Sequence, residues 1–231
     1  MMLTRMPAGR FWGNWGCDDS RRPKASLMNR IRCIAWDFDG VLNRNVINGR
    51  FIWQDGLVAF GISQKSFESF MFSDGFWPIM RGEEDLLDRL ERFRVHAGFD
   101  ATAVELLEFW FKADARPCAQ MLALMARVQA AGLRQVIATN NEHRRTSYIE
   151  REMGYGARVE KLYSSGRMGV AKPDAAFFRT IEADLGLAPE QILFVDDYRQ
   201  NVDAAAACGW QVHHFPEDGQ ADLLNRLSGI L

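Results

Sequence analysis

The sequence contains few cysteines and no long apolar run, and these two absences exclude several classes of protein. Its four cysteines are scattered over 231 residues without close pairs, so they predict neither a disulfide framework nor a zinc site. No stretch reaches the roughly 20 apolar residues that a transmembrane helix requires. We therefore expect a protein of the reducing cytoplasm.

An excess of charge of one sign is absent as well. The chain has 28 Lys and Arg residues against 30 Asp and Glu residues, for a formal net charge of -2. This balance gives no reason to expect a nucleic acid or a membrane surface as a partner. A hydrophobic content of 48% is ordinary for a globular chain with a sizeable core. We expect a monomer or a homodimer.

The most informative stretch is Asp37-Phe38-Asp39-Gly40, which follows an apolar run over 31–36 that reads as a buried strand. Carboxylates two residues apart at the end of a parallel strand can face one substrate, and a glycine lets the backbone come close. A carboxylate attacks an anionic phosphate only if cations offset the repulsion. The pair therefore predicts a metal ion and a lysine supplied by other parts of the chain.

Three downstream clusters can supply these groups. Thr139 and Asn140 follow one apolar run, Asp196 and Asp197 follow another, and Lys172 lies between the two clusters. Apart from the lysine, each cluster comes directly after a β-branched, apolar segment. This is the placement expected at the strand ends of a doubly wound sheet, where ligands bind.

Each motif by itself also has a purely structural interpretation. Asp-Phe-Asp-Gly also occurs as a turn after a strand, and a lysine before a proline is ordinarily a surface residue. Thr139 or Asn140 is expected to cap the helix that begins at Glu142. The order of the four motifs, together with their strand contexts, favours a metal-dependent active site over these interpretations.

The ordered set resembles the haloacid dehalogenase-like (HAD) hydrolase superfamily, whose pattern is Asp-x-Asp-Gly, then Ser or Thr, then Lys, then paired acidic residues. The resemblance extends from about Ile31 to Phe215. It implies an α/β fold, a Rossmann-like doubly wound parallel sheet with an inserted α-helical cap domain. The alternation of strands and helices after residue 116 independently indicates a parallel sheet. Within the superfamily, the motifs look most like sugar-phosphate phosphatases and the phosphatase domain of epoxide hydrolases.

The resemblance implies hydrolysis of a small phosphorylated metabolite through an aspartyl phosphate on Asp37. Asp39 would act as general acid and base, and an acid at this position argues against the dehalogenases, which lack it. Thr139 would bind phosphoryl oxygens, Lys172 would offset charge, and Asn140 would contact the substrate. Two alternatives remain, a phosphomutase that uses the same residues and a non-catalytic binding protein on this scaffold.

Mg²⁺ is the cofactor that the resemblance implies. Its ligands would be the side chains of Asp37 and Asp197, the backbone carbonyl of Asp39, and Asp196 directly or through water. Asn201 stands where relatives often carry an aspartate, so we assign it a hydrogen-bonding role only.

About a hundred residues separate Asp39 from Thr139, far more than a simple crossover needs. The pattern over 44–115 is helical, and 13 of the 27 aromatic residues fall there. The resemblance implies that this insertion is a cap over the active site. The predicted division is a disordered leader or misassigned start over 1–29, a catalytic core over 30–43 and 116–231, and a helical cap over 44–115.

Within the predicted cap, Arg81 and Trp53 are expected to contact the substrate. Phe51 and Trp77 are further candidates for its inner face. A cap that closes can exclude water and select the substrate.

Overall fold

A parallel five-stranded sheet lies at the centre of the molecule, here described from a computed structural model over residues 31–47, 50–216 and 219–231. The predicted leader over 1–29 lies outside the described residues. The strands are β1 (Cys33–Trp36), β2 (Val46–Ile47), β3 (Arg50–Phe51), β4 (Arg134–Thr139), β5 (Lys161–Ser164), β6 (Ile192–Asp196) and β7 (Gln211–His214). The sheet order is β5-β4-β1-β6-β7, and β2 and β3 form a separate antiparallel pair.

Strand β1 runs through the middle of the sheet, with β4 on one side and β6 on the other. Ala35 is in register with Val136 and with Phe194. Alternate residues of β1 enter different apolar clusters, Ile34 and Trp36 on one face and Cys33 and Ala35 on the other. Because both faces are covered, the strand is a continuous apolar run with no polar alternation.

The segment between β1 and β4 is mostly helical and builds an apolar cluster of its own. Trp53 stacks on Trp110 with ring centroids 4.2 Å apart, and Phe67 packs edge-on against Phe93 at 5.3 Å. The assignment of this segment as a separate cap domain over 44–115 stays a prediction. After the β2–β3 pair come a 3-10 helix (Ile52–Phe60), α1 (Gln64–Met71), α2 (Trp77–Met80), α3 (Leu86–Ala97) and α4 (Ala103–Asp114).

The remaining helices cover the sheet. They are α5 (Ala119–Ala130), α6 (His143–Arg151), α7 (Ser165–Met168), α8 (Ala175–Leu185), α9 (Arg199–Ala207) and α10 (Gln220–Leu227), with 3-10 turns at Tyr155–Ala157 and Pro189–Gln191. Helices α5, α6 and α10 contribute to one apolar cluster, and α8 and α9 contribute to the other. Within the described ranges, no helix combines the length and the apolar character needed to cross a membrane.

The N-cap of α6 differs from the prediction. Glu142 caps this helix, because its carboxylate accepts hydrogen bonds from the backbone N–H of Arg144, at 2.7 Å, and of Arg145. The prediction that Thr139 or Asn140 is the cap is therefore wrong. Thr139 instead ends β4, which frees its side chain for the site at the strand ends.

The chain enters the helical segment near Arg44 and leaves it near Arg116, and these two stretches of backbone lie side by side. The N–H of Arg44 donates to the carbonyl oxygen of Arg116 at 2.7 Å. The side-chain amide of Asn43 donates to the carbonyl of Asp114 at 2.9 Å, and its oxygen accepts from the N–H of Arg116 at 2.6 Å. We call the five-stranded sheet with its covering helices the body. These bonds fix the position at which the helical segment leaves the body.

Candidate active site

The carboxyl ends of β1, β4 and β6 bring the predicted catalytic residues together. These strands are neighbours in the sheet, so the residues at their ends meet at one edge. Asp37 directly follows β1, and its backbone N–H donates to the carbonyl oxygen of Val195 at 2.8 Å. Thr139 ends β4 and Asp196 ends β6.

Lys172 arrives from the loop before α8 and lies between two carboxylates. Its Nζ is 2.9 Å from Oδ1 of Asp37 and 2.7 Å from Oδ2 of Asp196, and its side chain is only 1% exposed. Burial opposes the charge of the ammonium group, but the two carboxylates outweigh it and raise the pKa of Lys172 above its usual value. The lysine therefore remains a cation in the buried site.

The side chain of Asn140 holds the lysine loop in place. Its Nδ2 donates to the carbonyl oxygen of Lys172 at 2.9 Å, and its Oδ1 accepts from the N–H of Lys172 at 2.9 Å. This reciprocal pair positions the lysine, a role that the sequence did not indicate. The predicted contact of Asn140 with the substrate stays a prediction.

Three carboxylates form a cluster at the same edge. Asp37, Asp196 and Asp197 each offer an oxygen atom, and these atoms lie within 4.8 Å of one another. Burial, followed by the negative charge of Asp196, raises the pKa of Asp37 and raises that of Asp197 to about 6. When all three groups are ionised, the ammonium group of Lys172 offsets only one of the three negative charges. Hard oxygen donors with this charge suit a divalent cation such as Mg²⁺.

Two neighbours shape the acidic cluster. The side-chain amide of Asn201 donates to both oxygens of Asp196 at 3.2 and 3.1 Å, which is the hydrogen-bonding role expected for it. Gly40 has φ +82°, and a Cβ atom there would lie 2.1 Å from Oδ2 of Asp197. Only glycine lets the backbone pass so close to this carboxylate.

Asp39 is held by three donors, one of which is four residues away, whereas the other two are 102 and 106 residues away. Its Oδ1 accepts from Nη2 of Arg145 at 2.7 Å and from Nδ2 of Asn43 at 3.1 Å. Its Oδ2 accepts from Nδ2 of Asn141 at 3.2 Å. Arg145 is buried and also forms an ion pair with Asp114, at the end of α4. The carboxylate of Asp39 is thus fixed in orientation.

The sequence motifs did not predict the contacts that Asp39 makes with Arg145, Asn43 and Asn141. One signal for Arg145 was available, because it lies four residues before Ile149 and so on the buried face of α6. Asn141 also contacts Thr139, donating to its Oγ1 at 2.8 Å. That bond uses a lone pair of the threonine, whose hydroxyl proton can still be donated to a ligand.

A cavity of about 310 Å³ lies between this edge and the helical segment. Trp53 and Trp77 border it, together with Phe51, whereas Asp39 and Asn140 border its opposite end. Arg81 lies outside the lining. It is exposed, with its guanidinium carbon 5.6 Å from the ring centroid of Trp77. The predicted contact of Arg81 with the substrate stays a prediction without support from its position.

Several solved structures share the fold. A HAD family enzyme from Bacteroides thetaiotaomicron, solved as a magnesium complex, is 21% identical with a TM-score of 0.71, over 85% of this chain and 98% of that chain. L-2-haloacid dehalogenase from Xanthobacter autotrophicus is 17% identical with a TM-score of 0.56, over 80% of this chain and 77% of that chain.

The matches to curated proteins are short. Enolase-phosphatase E1 from Pectobacterium carotovorum is 41% identical over 64 residues, which are 28% of this chain and 27% of the relative. Drimenol cyclase from Aspergillus calidoustus is 37% identical over 68 residues, which are 29% of this chain. This chain spans only 13% of the length of the cyclase.

A family model of haloacid dehalogenase-like hydrolases matches residues 31–209, which include all four motifs and the insertion. The parallel sheet with its helices agrees with this family, so the predicted fold class is confirmed. The chain belongs to the haloacid dehalogenase-like hydrolase family.

Proposed function

We propose that this chain is a Mg²⁺-dependent phosphatase that hydrolyses a phosphate monoester through an aspartyl phosphate on Asp37. The observation that carries the proposal is the placement of Asp37 against the ammonium group of Lys172, inside a cluster of three carboxylates. A phosphate ester needs such cations around an attacking carboxylate.

Two comparisons support phosphate chemistry. Enolase-phosphatase E1, whose name states a phosphatase, is among the curated relatives. The HAD family enzyme from Bacteroides thetaiotaomicron was also solved with magnesium and inorganic phosphate.

The metal would be held by the side chains of Asp37 and Asp197 and by the backbone carbonyl of Asp39, with Asp196 bound directly or through water. When bound, it would offset the negative charge of the phosphoryl oxygens. Asp196 already accepts from Lys172 and from the N–H of Tyr198 at 2.7 Å. These bonds fix its carboxylate beside Asp37.

The chemistry then divides between two aspartates. A carboxylate oxygen of Asp37 attacks phosphorus, and the bond from phosphorus to the alcohol oxygen breaks. Asp39 gives its proton to that oxygen and then takes a proton from the water that hydrolyses the aspartyl phosphate. Thr139 donates a hydrogen bond to a phosphoryl oxygen, and Lys172 offsets the charge that surrounds Asp37.

The orientation of Asp39 is part of this mechanism. Arg145, Asn43 and Asn141 hold its carboxylate, so its position does not depend on a substrate being present. A fixed acid avoids the loss of orientational freedom at the moment of reaction.

The experiment is hydrolysis of p-nitrophenyl phosphate by the full chain, with nitrophenol and inorganic phosphate measured together. We expect equal amounts of both, full dependence on Mg²⁺, and loss of turnover in excess chelator. A phosphomutase would release nitrophenol without matching phosphate, and unchanged turnover in chelator would contradict the metal site. Asp39→Asn, which cannot transfer the proton, should lower turnover by roughly 10²- to 10⁴-fold.

A further inference from the structure

The cavity between the strand ends and the helical segment has two unlike ends. One end is formed by Asp39 and by residues at the start of α6. The other end is formed by side chains of the helical segment, which are Phe51, Trp53, Phe72, Phe76, Trp77, Trp110 and Phe111 together with smaller uncharged neighbours. None of the described residues that the helical segment contributes to the lining is charged.

The polar groups at the first end already have partners inside the protein. Asn140 is paired with the backbone of Lys172, and Asn141 donates to Asp39 and to Thr139. The carboxylate of Glu142 accepts from backbone N–H groups of α6. These side chains therefore offer few free groups to the hydroxyls of a sugar.

The polar side-chain atoms at the aromatic end are the indole nitrogens of Trp53, Trp77 and Trp110, and each of them can only donate a hydrogen bond. Nε1 of Trp110 is buried and has no hydrogen-bond partner within the part of the chain that the structure describes. We call the lining at this end the aromatic wall. A polyol would place several hydroxyl groups against the aromatic wall and leave most of these hydroxyl groups without hydrogen-bond partners. Because a buried hydroxyl without a hydrogen bond is unfavourable, the wall selects against a polyol and favours an apolar group.

The position of the cavity identifies the part of the substrate that it receives. Asp39 borders the cavity, whereas Asp37 does not. Under the proposed mechanism Asp39 protonates the leaving oxygen, so the alcohol part of the ester extends from Asp39 into the cavity. The volume of about 310 Å³ lies at the lower end of the range for small-molecule pockets, roughly 300–1,000 Å³. This is room for one ring or two fused rings.

We propose that the substrate is a phosphate monoester of an uncharged, largely apolar alcohol about as large as a bicyclic ring, and that the aromatic wall binds this alcohol. The inference rests on the proposed phosphatase function. Positively charged groups that could recognise a second phosphate or a carboxylate do not occur on the wall formed by the described helical segment.

The test compares esters of primary alcohols, so that the leaving groups are similar in acidity. With the full chain and Mg²⁺, kcat/KM for 2-naphthylmethyl phosphate should exceed that for glucose 6-phosphate and glycerol 1-phosphate by roughly 100-fold or more. A kcat/KM for glucose 6-phosphate equal to or above that for the naphthylmethyl ester would overturn the inference.

Two lining variants and one control locate the effect. Met80→Glu places a charge in the cavity, and Trp77→Ala removes an exposed ring from its wall, so each should lower kcat/KM for the naphthylmethyl ester by roughly tenfold or more. Val95→Glu adds the same charge on α3 at a position that is 69% exposed and outside the cavity, and it should change nothing. Equal losses in all three variants would contradict a role for the wall.

Binding without catalysis separates this inference from the proposed function. Calorimetric titration with 2-naphthylmethanol should give saturable binding to one site, weakened in Met80→Glu and unchanged in Val95→Glu. If p-nitrophenyl phosphate is not hydrolysed while this binding is seen, the phosphatase proposal fails and the apolar site stands. If the ester is hydrolysed while no alcohol binds, the function stands and the apolar site is overturned.

Discussion

At the scale of single residues, Arg145 connects parts of the chain that lie far apart in sequence. It contacts Asp39, 106 positions earlier, and also pairs with Asp114 at the end of the helical segment. The arginine and Asp114 are both buried, so neither charge has water as an alternative partner. Removing the arginine leaves the buried carboxylate of Asp114 without a counter-charge and takes away one of the three donors that hold Asp39.

Arg145→Ala should therefore lower both stability and turnover. The expected loss in the free energy of unfolding is about 3–5 kcal/mol, the usual cost of breaking a buried ion pair from one side. Urea denaturation measures it, and kcat for p-nitrophenyl phosphate should fall at a temperature where the variant is folded. Arg144→Ala is the matched control, because this neighbour pairs with Asp85 at 2.7 Å with both side chains 40% exposed.

The control pair is solvated, so Arg144→Ala should cost only about 0–1 kcal/mol and leave kcat unchanged. Similar losses in the two variants would contradict the assigned role of Arg145.

The residues that could be predicted from the sequence are those whose chemistry lies in a local motif. Asp37 and Asp39 follow a strand and precede a glycine, and Asp196 and Asp197 follow another strand. Each pair can therefore be recognised from the residues next to it in the sequence. Arg145 could not be found in this way, because its partners are brought to it only by the completed fold.

At the scale of elements, the turn after α2 meets α7 at two glycines. Gly82 has φ +71°, and a Cβ atom there would lie 2.3 Å from the carbonyl oxygen of Gly166 and 2.7 Å from Nε2 of His143. This contact sets how closely the helical segment approaches the body. The cavity lies between the same two parts of the chain.

Gly82→Ala should therefore push the helical segment away from the strand ends. We expect kcat/KM for the preferred ester to fall by roughly ten- to hundredfold, since displacements of about 1 Å can have such effects. Gly98→Ala is the control, because Gly98 has a similar φ of +70° but a Cβ atom there would have no neighbour within 4 Å. Gly98→Ala therefore introduces the same backbone strain as Gly82→Ala without the clash against Gly166.

Both glycine variants should lose thermal stability from the strained backbone, with a larger loss in Gly82→Ala because of the clash, and steady-state kinetics should separate them. Equal kinetic losses would mean that strain alone, and not the approach of the helical segment, explains the effect.

The elements of the body were predicted closely, whereas the start of the insertion was not. The sequence pattern predicts a last helix over 220–227 and a strand over 191–195, because apolar runs and glycine ends mark these elements locally. Helix α10 has the predicted bounds, and β6 lies one residue later than predicted. The β2–β3 pair and the 3-10 helix over 52–60 were missed. A Cβ atom at Gly56 would lie 2.2 Å from the ring of Phe109, so the close packing of α4 on this helix depends on a contact about fifty residues away.

At the scale of the whole molecule, two environments of opposite character share one cleft. The strand ends gather three carboxylates and a buried lysine, which suit a metal ion and a phosphoryl group. The helical segment places an aromatic wall across the cavity. Under the proposed function, the body would supply the chemistry that any phosphate ester requires, and the insertion would discriminate between esters.

The central claim is that Asp37 becomes phosphorylated during turnover, and acid quenching of the reacting protein tests it most directly. Full-length protein mixed with Mg²⁺ and 2-naphthylmethyl phosphate should carry a phosphoryl group on Asp37, detected by peptide mass analysis. Asp37→Asn should carry none and should turn over on the order of a thousandfold more slowly, with an unchanged melting temperature as evidence of folding. An Asp37→Asn variant that keeps about a tenth or more of the normal turnover would contradict the covalent mechanism.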